Sequence, residues 1–270
     1  MAPRLLALDL DGTLLRADHS VDQRDVAAIA ELQRAGVTVT IVTGRMYSGA
    51  ADAARACAIE GTIACVEGSH LIELATGTTV AHHPMADDVA ATLRATIDAH
   101  ALAGFVFDAG TIHHDRAGAP YAGYVRTWSP NLRLADDDLI WPAVPLATVA
   151  IGDPAAVAAA HAALHPHAER LFAVTFAVHA CPGKHALLVR AAGPTKGTAL
   201  AELCRAVGCD LADAVAVGDW MNDVPMFEVA GRSFAMGSAP DAVRAKATDQ
   251  LSTVAGAGGG IAEAIRRAWG

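Results

Sequence analysis

The sequence predicts an α/β fold: a parallel sheet covered by helices, with an α+β unit inserted into it. Three observations carry this. A short apolar run ends in Asp9, a strand–helix–strand–helix–strand rhythm follows it, and that rhythm returns at Thr195 after a stretch of short mixed strands. Leu5-Leu6-Ala7-Leu8 shows no polar alternation, which suits a parallel strand buried on both faces. Val21 to Ala35 has helical apolar spacing and stops at Gly36, a fitting C-terminal glycine. Val37 to Val42 is a second buried strand, Ser48 to Ala58 a helix, and Ile63 to Val66 a third strand. Such alternation belongs to a parallel sheet with right-handed crossovers. Leu71 to Leu74 and Thr78 to Val80 then form a hairpin across Ala-Thr-Gly77, and the pattern changes.

From about Pro84 the chain reads as a helix (Asp87 to His100), short strands (Phe105 to Phe107, Thr111 to His114) and a loop-rich stretch through Trp128, Pro130 and Pro142. A strand (Ala147 to Ile151), a helix (Pro154 to Leu164) and two more strands (Leu171 to Val178, Ala186 to Val189) complete the inserted unit. The α/β rhythm resumes with a helix from Thr195 to Val207, a strand at Ala214 to Val217, a short helix at Pro225 to Val229 and a strand at Ser233 to Met236. Residues 240–247 and 261–268 read as helical, separated by the flexible loop Gly256 to Gly260.

With 270 residues the chain is long enough for one large domain or two modest ones. A net charge of −9 argues against nucleic acid or an anionic membrane as partner, so an anionic substrate must be held by local cations. No apolar run reaches the roughly 18 residues of a membrane span, and Met-Ala-Pro-Arg lacks the build of a cleaved signal. A soluble cytoplasmic protein, monomer or homodimer, is the expectation. The 5 cysteines are scattered and odd in number, which points to buried free thiols. The 12 histidines lack the spacing of a metal site.

Chemistry concentrates at predicted strand ends, where open α/β sheets bind ligands. Asp9-Leu10-Asp11-Gly12-Thr13 places two carboxylates on one face if the chain stays extended through Asp11, and their repulsion invites a divalent cation. A polar turn with Gly12 at positive φ is the alternative. Thr43-Gly44-Arg45 follows the second strand as an anion site, or as a plain helix cap. Lys196 opens a helix against the macrodipole, so an anion compensates it unless it is merely exposed. Asp219 and Asp223 share a face if a helical turn begins at Asp219; with no histidine or thiol beside them they suit Mg²⁺. Trp220 is expected to pack rather than stack on a ligand.

Taken jointly, these motifs resemble those of the haloacid dehalogenase-like phosphatases, and among them the Cof-type (class IIB) members. Asp9 through Leu14 matches the first motif of that superfamily, Thr43-Gly44-Arg45 the second, Thr195-Lys196-Gly197 the third, and Gly218-Asp219 through Asn222-Asp223 the fourth. Val224-Pro225-Met226-Phe227 and Ala235-Met236-Gly237 resemble its usual continuation. The resemblance covers residues 4–80 and 190–265 and is poor between them. It implies a Rossmann-like core over 1–83 and 191–270, with an inserted α/β cap over 84–190 that sets specificity. It further implies that Asp9 attacks phosphorus to form an aspartyl-phosphate, while Asp11 protonates the leaving oxygen and then activates water. Mg²⁺ would be held by the Asp9 carboxylate, the Asp11 carbonyl and Asp219, with Asp223 close by or acting through water. Thr43, the Gly44 amide, Lys196 and Asn222 would hold the phosphoryl group.

One residue departs from the pattern. Glu67-Gly68 stands where the family commonly has Asn-Gly; Glu67 either pairs with Arg45, contacts a hydroxyl or amine of the substrate, or weakens activity. Polar residues of the insert (Asp108, His113, His114, Asp115, Arg126, Lys184, His185) are candidates for specificity, though ordinary surface exposure explains each. The expected function is a Mg²⁺-dependent phosphatase of a small phosphorylated metabolite, such as a sugar phosphate. A phosphomutase and a non-catalytic metabolite sensor remain as alternatives.

Overall fold

The computed structural model describes residues 4–135, 140–142 and 144–270. Met-Ala-Pro at the N-terminus and part of the expected loop-rich stretch lie outside the described residues. The chain divides into two compact units: Met1–Gly44, Ala50–Ala81 and Pro194–Gly270 form the first, and Arg45–Gly49 with His82–Gly193 the second.

The first unit begins with β1 (Leu5–Leu8), every residue of which is buried, followed by α1 (Gln23–Arg34), β2 (Thr38–Ile41) and, from Ala50 on, α2 (Tyr47–Ala56). Asp22 caps α1 by accepting the Arg24 N–H. β3 (Thr62–Cys65), β4 (His70–Glu73) and β5 (Thr79–His82) come next.

The second unit contains α3 (Asp87–Ala99), β6 (Ala103–Phe107), β7 (Ile112–His114), α4 (Ala122–Val125), β8 (Leu132–Leu134), β9 (Ala147–Gly152), α5 (Pro154–Leu164), β10 (Leu171–Ala177) and β11 (His185–Ala191). Its sheet runs β10-β11-β9-β6-β7-β8, antiparallel except where β8 joins β7, and α3 and α5 cover it with an apolar cluster around Leu93, Ile97, Val157 and Leu187. Sequence reading missed α4 and β8; both are single short turns or three-residue strands, too brief for a periodic signal.

The first unit resumes with α6 (Lys196–Val207), β12 (Ala214–Gly218), α7 (Val224–Val229), β13 (Arg232–Ala235), α8 (Asp241–Arg244), β14 (Asp249–Gln250) and α9 (Gly260–Trp269). Its five-stranded sheet is parallel throughout in the order β14-β13-β12-β1-β2, so β1 lies in the interior with β2 on one side and β12 on the other. The expected third parallel strand takes another partner. β3 pairs antiparallel with β4 in a separate sheet with β5, while a parallel bridge between Val42 and Ala64 and a hydrogen bond from Thr40 Oγ1 to the Thr62 carbonyl at 2.8 Å link it to β2. Among the described residues, no helix is long and apolar enough to cross a membrane.

Candidate active site

The ends of β1, β2 and β12 and the start of α6 converge because β1 sits between the other two strands. Asp9 follows β1 directly, its N–H donating to the Val217 carbonyl of β12 at 3.0 Å. A turn follows from Leu10, whose carbonyl accepts the Leu15 N–H at 2.8 Å; Asp11 forms an isolated parallel bridge with Leu15, and its charge reaches Asp219. Asp9 is buried at 5% exposure and Asp11 is exposed on the turn. Gly12 explains the tightness: its φ is +80°, and a Cβ there would lie 2.3 Å from Asp219 Oδ2. Thr13, to which the sequence assigned no role, donates from Oγ1 to Asp219 Oδ1 at 3.2 Å. Its position beside the glycine was the one available signal.

Lys196 is the first residue of α6 and is 1% exposed. Thr195 caps that helix by accepting the Thr198 N–H, which sets the lysine at its mouth. The ammonium donates to Asp9 Oδ1 at 2.5 Å and to Asp223 Oδ1 at 2.6 Å, so two carboxylates supply the compensating charge. Burial alone pushes this ammonium down, but Asp223 and Asp9, with Glu67 further off, outweigh it and hold Lys196 above its ordinary range.

After β12 the helical turn begins at Met221, not at Asp219. Trp220 is extended, and Asp223, fully buried, folds back so that Oδ2 accepts the N–H groups of Asp219 at 2.8 Å and Trp220 at 2.9 Å. Both oxygens of Asp223 are thus engaged, one by the loop and one by Lys196. Trp220 does not pack: it is 59% exposed.

Among the described residues, Asp9, Asp219 and Asp223 are the one group whose ligand atoms could serve a metal, all within 4.8 Å of one another. Burial pushes Asp9 well above the usual carboxylate range, against the pull of Lys196, and pushes Asp219 up to about 7, with Asp223 adding to it. Three carboxylates beside one ammonium leave uncompensated negative charge, which a hard divalent cation on oxygen donors would neutralise. The residues present fit such an ion.

The remaining candidates fall into two groups. Thr43, 1% exposed, donates its N–H to the Ala64 carbonyl, and its own carbonyl accepts the Glu67 N–H, so the end of β2 and the turn after β3 are tied together. Glu67 Oε1 accepts from Asn222 Nδ2 at 2.9 Å and crowds Gly44. Arg45 is buried within the second unit, its Nη1 donating to the Gly49 carbonyl at 3.2 Å. In the insert, His113 Nε2 meets Asp108 Oδ2 at 2.7 Å, His114 packs on Phe105, and Lys184 pairs with Asp153. All five cysteines are free thiols, only Cys181 not fully buried.

The strand ends of a parallel sheet thus gather three aspartates, two of them paired with a buried lysine, at one edge of an open α/β core. The chain belongs to the haloacid dehalogenase-like hydrolases: the family model matches residues 6–265, in agreement with the resemblance to Cof-type members. It is similar to the pyridoxal phosphate phosphatase YbhA of Escherichia coli (strain K12), 28% identical over 261 residues that cover 92% of each chain. In fold it is similar to a haloacid dehalogenase-like hydrolase from Bacteroides thetaiotaomicron, with a TM-score of 0.84, 22% identity and coverage of 98% of this chain and 99% of that one. The HAD subclass IIB sugar phosphatase BT4131 also shares the fold, at a TM-score of 0.79 and 16% identity, with 98% of each chain covered.

Proposed function

We propose that this phosphomonoester hydrolase is a Mg²⁺-dependent phosphatase of a small phosphorylated metabolite, working through an aspartyl-phosphate on Asp9. The observation that carries the reading is the buried Asp9–Lys196–Asp223 bracket at the end of β1. A lysine held between two carboxylates is fixed in place and stays charged, which suits neutralisation of a transferring phosphoryl group. In the reaction an Asp9 carboxylate oxygen forms a bond to phosphorus as the bond to the leaving oxygen breaks. Asp11, exposed on the turn two residues on, gives its proton to that oxygen and then takes one from the water that cleaves the acyl-phosphate.

Lys196, Thr43, the Gly44 amide and Asn222 are the proposed phosphoryl ligands. Asp223 positions Lys196 and the backbone of Asp219. Asp9, Asp219 and the Asp11 carbonyl would hold Mg²⁺, which when bound offsets charge on the phosphoryl oxygens and on the carboxylates around it. The inserted unit over 84–190 serves as a cap that selects the leaving group. The similarity to a pyridoxal phosphate phosphatase and a sugar phosphatase supports small phosphorylated metabolites as the substrate class.

The test is phosphate release across a panel of sugar phosphates, nucleotides and phosphorylated cofactors, with Mg²⁺ and then with EDTA. Release that requires the metal and disappears in Asp9→Asn is expected. Turnover that survives Asp9→Asn, or an isomerised sugar phosphate without free phosphate, would reject the proposal.

A further inference from the structure

Between β3 and β4 the backbone passes through Val66 (φ 50°), Glu67 (φ 57°) and Gly68 (φ 91°), three successive residues in left-handed conformation. Valine is strongly disfavoured there, and such geometry persists only where the surroundings over-determine it. They do so here: Glu67 N–H donates to the Thr43 carbonyl and Ser69 N–H to the Val66 carbonyl, each at 3.0 Å. The outcome is a half-buried carboxylate set beside the end of β2. A Cβ on Gly44 would lie 2.4 Å from Glu67 Oε1, so only glycine at 44 admits the carboxylate where it stands.

That carboxylate has a specific partner. Oε1 accepts from Asn222 Nδ2 at 2.9 Å, joining residues 155 positions apart, while Asn222 Oδ1 is buried without a hydrogen-bond partner. A free asparagine amide can turn over and exchange its oxygen for its nitrogen. An ionised carboxylate accepts only, so beside Glu67 the NH₂ end must face it and the flipped amide would set oxygen against oxygen. The same charge also reaches Lys196.

We infer that Glu67 is a positioning residue for phosphoryl transfer that acts through Asn222, fixing the amide by one N–H so that the second N–H is held for the phosphoryl oxygens. This inference rests on the phosphatase reading above. It explains how a carboxylate is tolerated next to an anion site: the oxygen is occupied by Asn222 and the charge lies in the field of Lys196.

A double-mutant cycle on kcat/KM for p-nitrophenyl phosphate with Mg²⁺ tests this, the melting temperature of each variant being recorded alongside. Glu67→Ala and Asn222→Ala are each expected to lower kcat/KM about tenfold or more, the scale of a hydrogen bond to a charged group, and the double variant to fall no further than the worse single. Glu67→Gln offers a donor as well as an acceptor, so the Asn222 amide can turn over beside it; this variant is expected to lose most of what Glu67→Ala loses while melting at the temperature of the unmodified chain, a loss that structural damage would not give. Losses that multiply in the double variant, a Glu67→Gln as active as the unmodified chain, or a Glu67→Ala as active as the unmodified chain would overturn the inference. A chain in which Asp9→Asn makes no difference to release overturns the phosphatase reading itself, which separates the two failures.

Discussion

Lys196 in the core and Lys184 in the inserted unit each hold an aspartate from Nζ to Oδ1, at 2.5 Å to Asp9 and at 2.7 Å to Asp153. Their surroundings differ. The side chains of Lys196 and Asp9 are 0% and 7% exposed, those of Lys184 and Asp153 34% and 74%. An exposed pair in high dielectric, screened by salt, contributes little to stability. A buried one carries the desolvation of every charge in it, and proteins gain little net stability from keeping it. A buried lysine flanked by two carboxylates at a strand end is therefore retained for chemistry, whereas the Lys184 pair decorates a surface. Distance alone does not tell the two apart; burial does.

The largest effect should follow from removing the lysines themselves. Lys196→Met leaves Asp9 and Asp223 buried and unpaired, so urea unfolding should show a loss of about 3–5 kcal/mol and phosphate release should disappear. Lys184→Met should shift stability by no more than about 0.5 kcal/mol and leave release unchanged. Equal losses in the two variants would erase the contrast.

A smaller effect comes from the uncompensated carboxylates. Mg²⁺ at about 100 times its Kd should raise the unfolding free energy by about 2.7 kcal/mol. In Asp219→Asn the stabilisation should vanish; a gain that persists there would mean that the ion sits elsewhere.

The smallest concerns a carboxylate held mainly by neutral donors, with the Arg267 guanidinium 3.6 Å from its Oε1. Glu263 accepts the N–H groups of Ser252 and Thr253 and both of their hydroxyls, at 2.8 to 3.0 Å. Burial pushes its carboxyl up, but these hydrogen bonds outweigh it and bring the group down to about 2. Because the folded value is depressed, the contribution is complete above the ordinary glutamate range and is lost as pH falls from there towards 2. Unfolding curves recorded down that pH range should show the decline in the unmodified chain and a shallower one in Glu263→Gln.

What the sequence made legible follows the range of the interactions. Asp9, Thr43, Lys196 and Asp219 each sit where a buried run or a helix begins or ends, a local pattern, and the parallel core was readable for the same reason. The local geometry between them was not. The turn at Leu10 and the backward fold of Asp223 onto Asp219 arise because Gly12 must clear Asp219 and the loop after β12 needs its N–H groups satisfied. The antiparallel pairing of β3 with β4 came from a hairpin that the crossover rhythm did not distinguish from a further parallel strand. The partner of Glu67 lies 155 positions away, beyond any periodicity. Trp220 stays exposed on an extended backbone whose N–H is fixed by Asp223, a position set by the loop and not by hydrophobicity.

In the reaction proposed above, Asp9, held by Lys196, becomes covalently phosphorylated. Acid-quench mass spectrometry of the Asp11→Asn variant mixed with Mg²⁺ and p-nitrophenyl phosphate tests this: p-nitrophenolate leaves without the proton Asp11 supplies, so the variant slows chiefly the second step and the first intermediate accumulates. The added mass of one phosphoryl group is expected on the peptide that contains Asp9, and is expected to be absent when Asp9→Asn is combined with Asp11→Asn. Phosphate release from an active chain with no such peptide, or with the added mass on another residue, would contradict it.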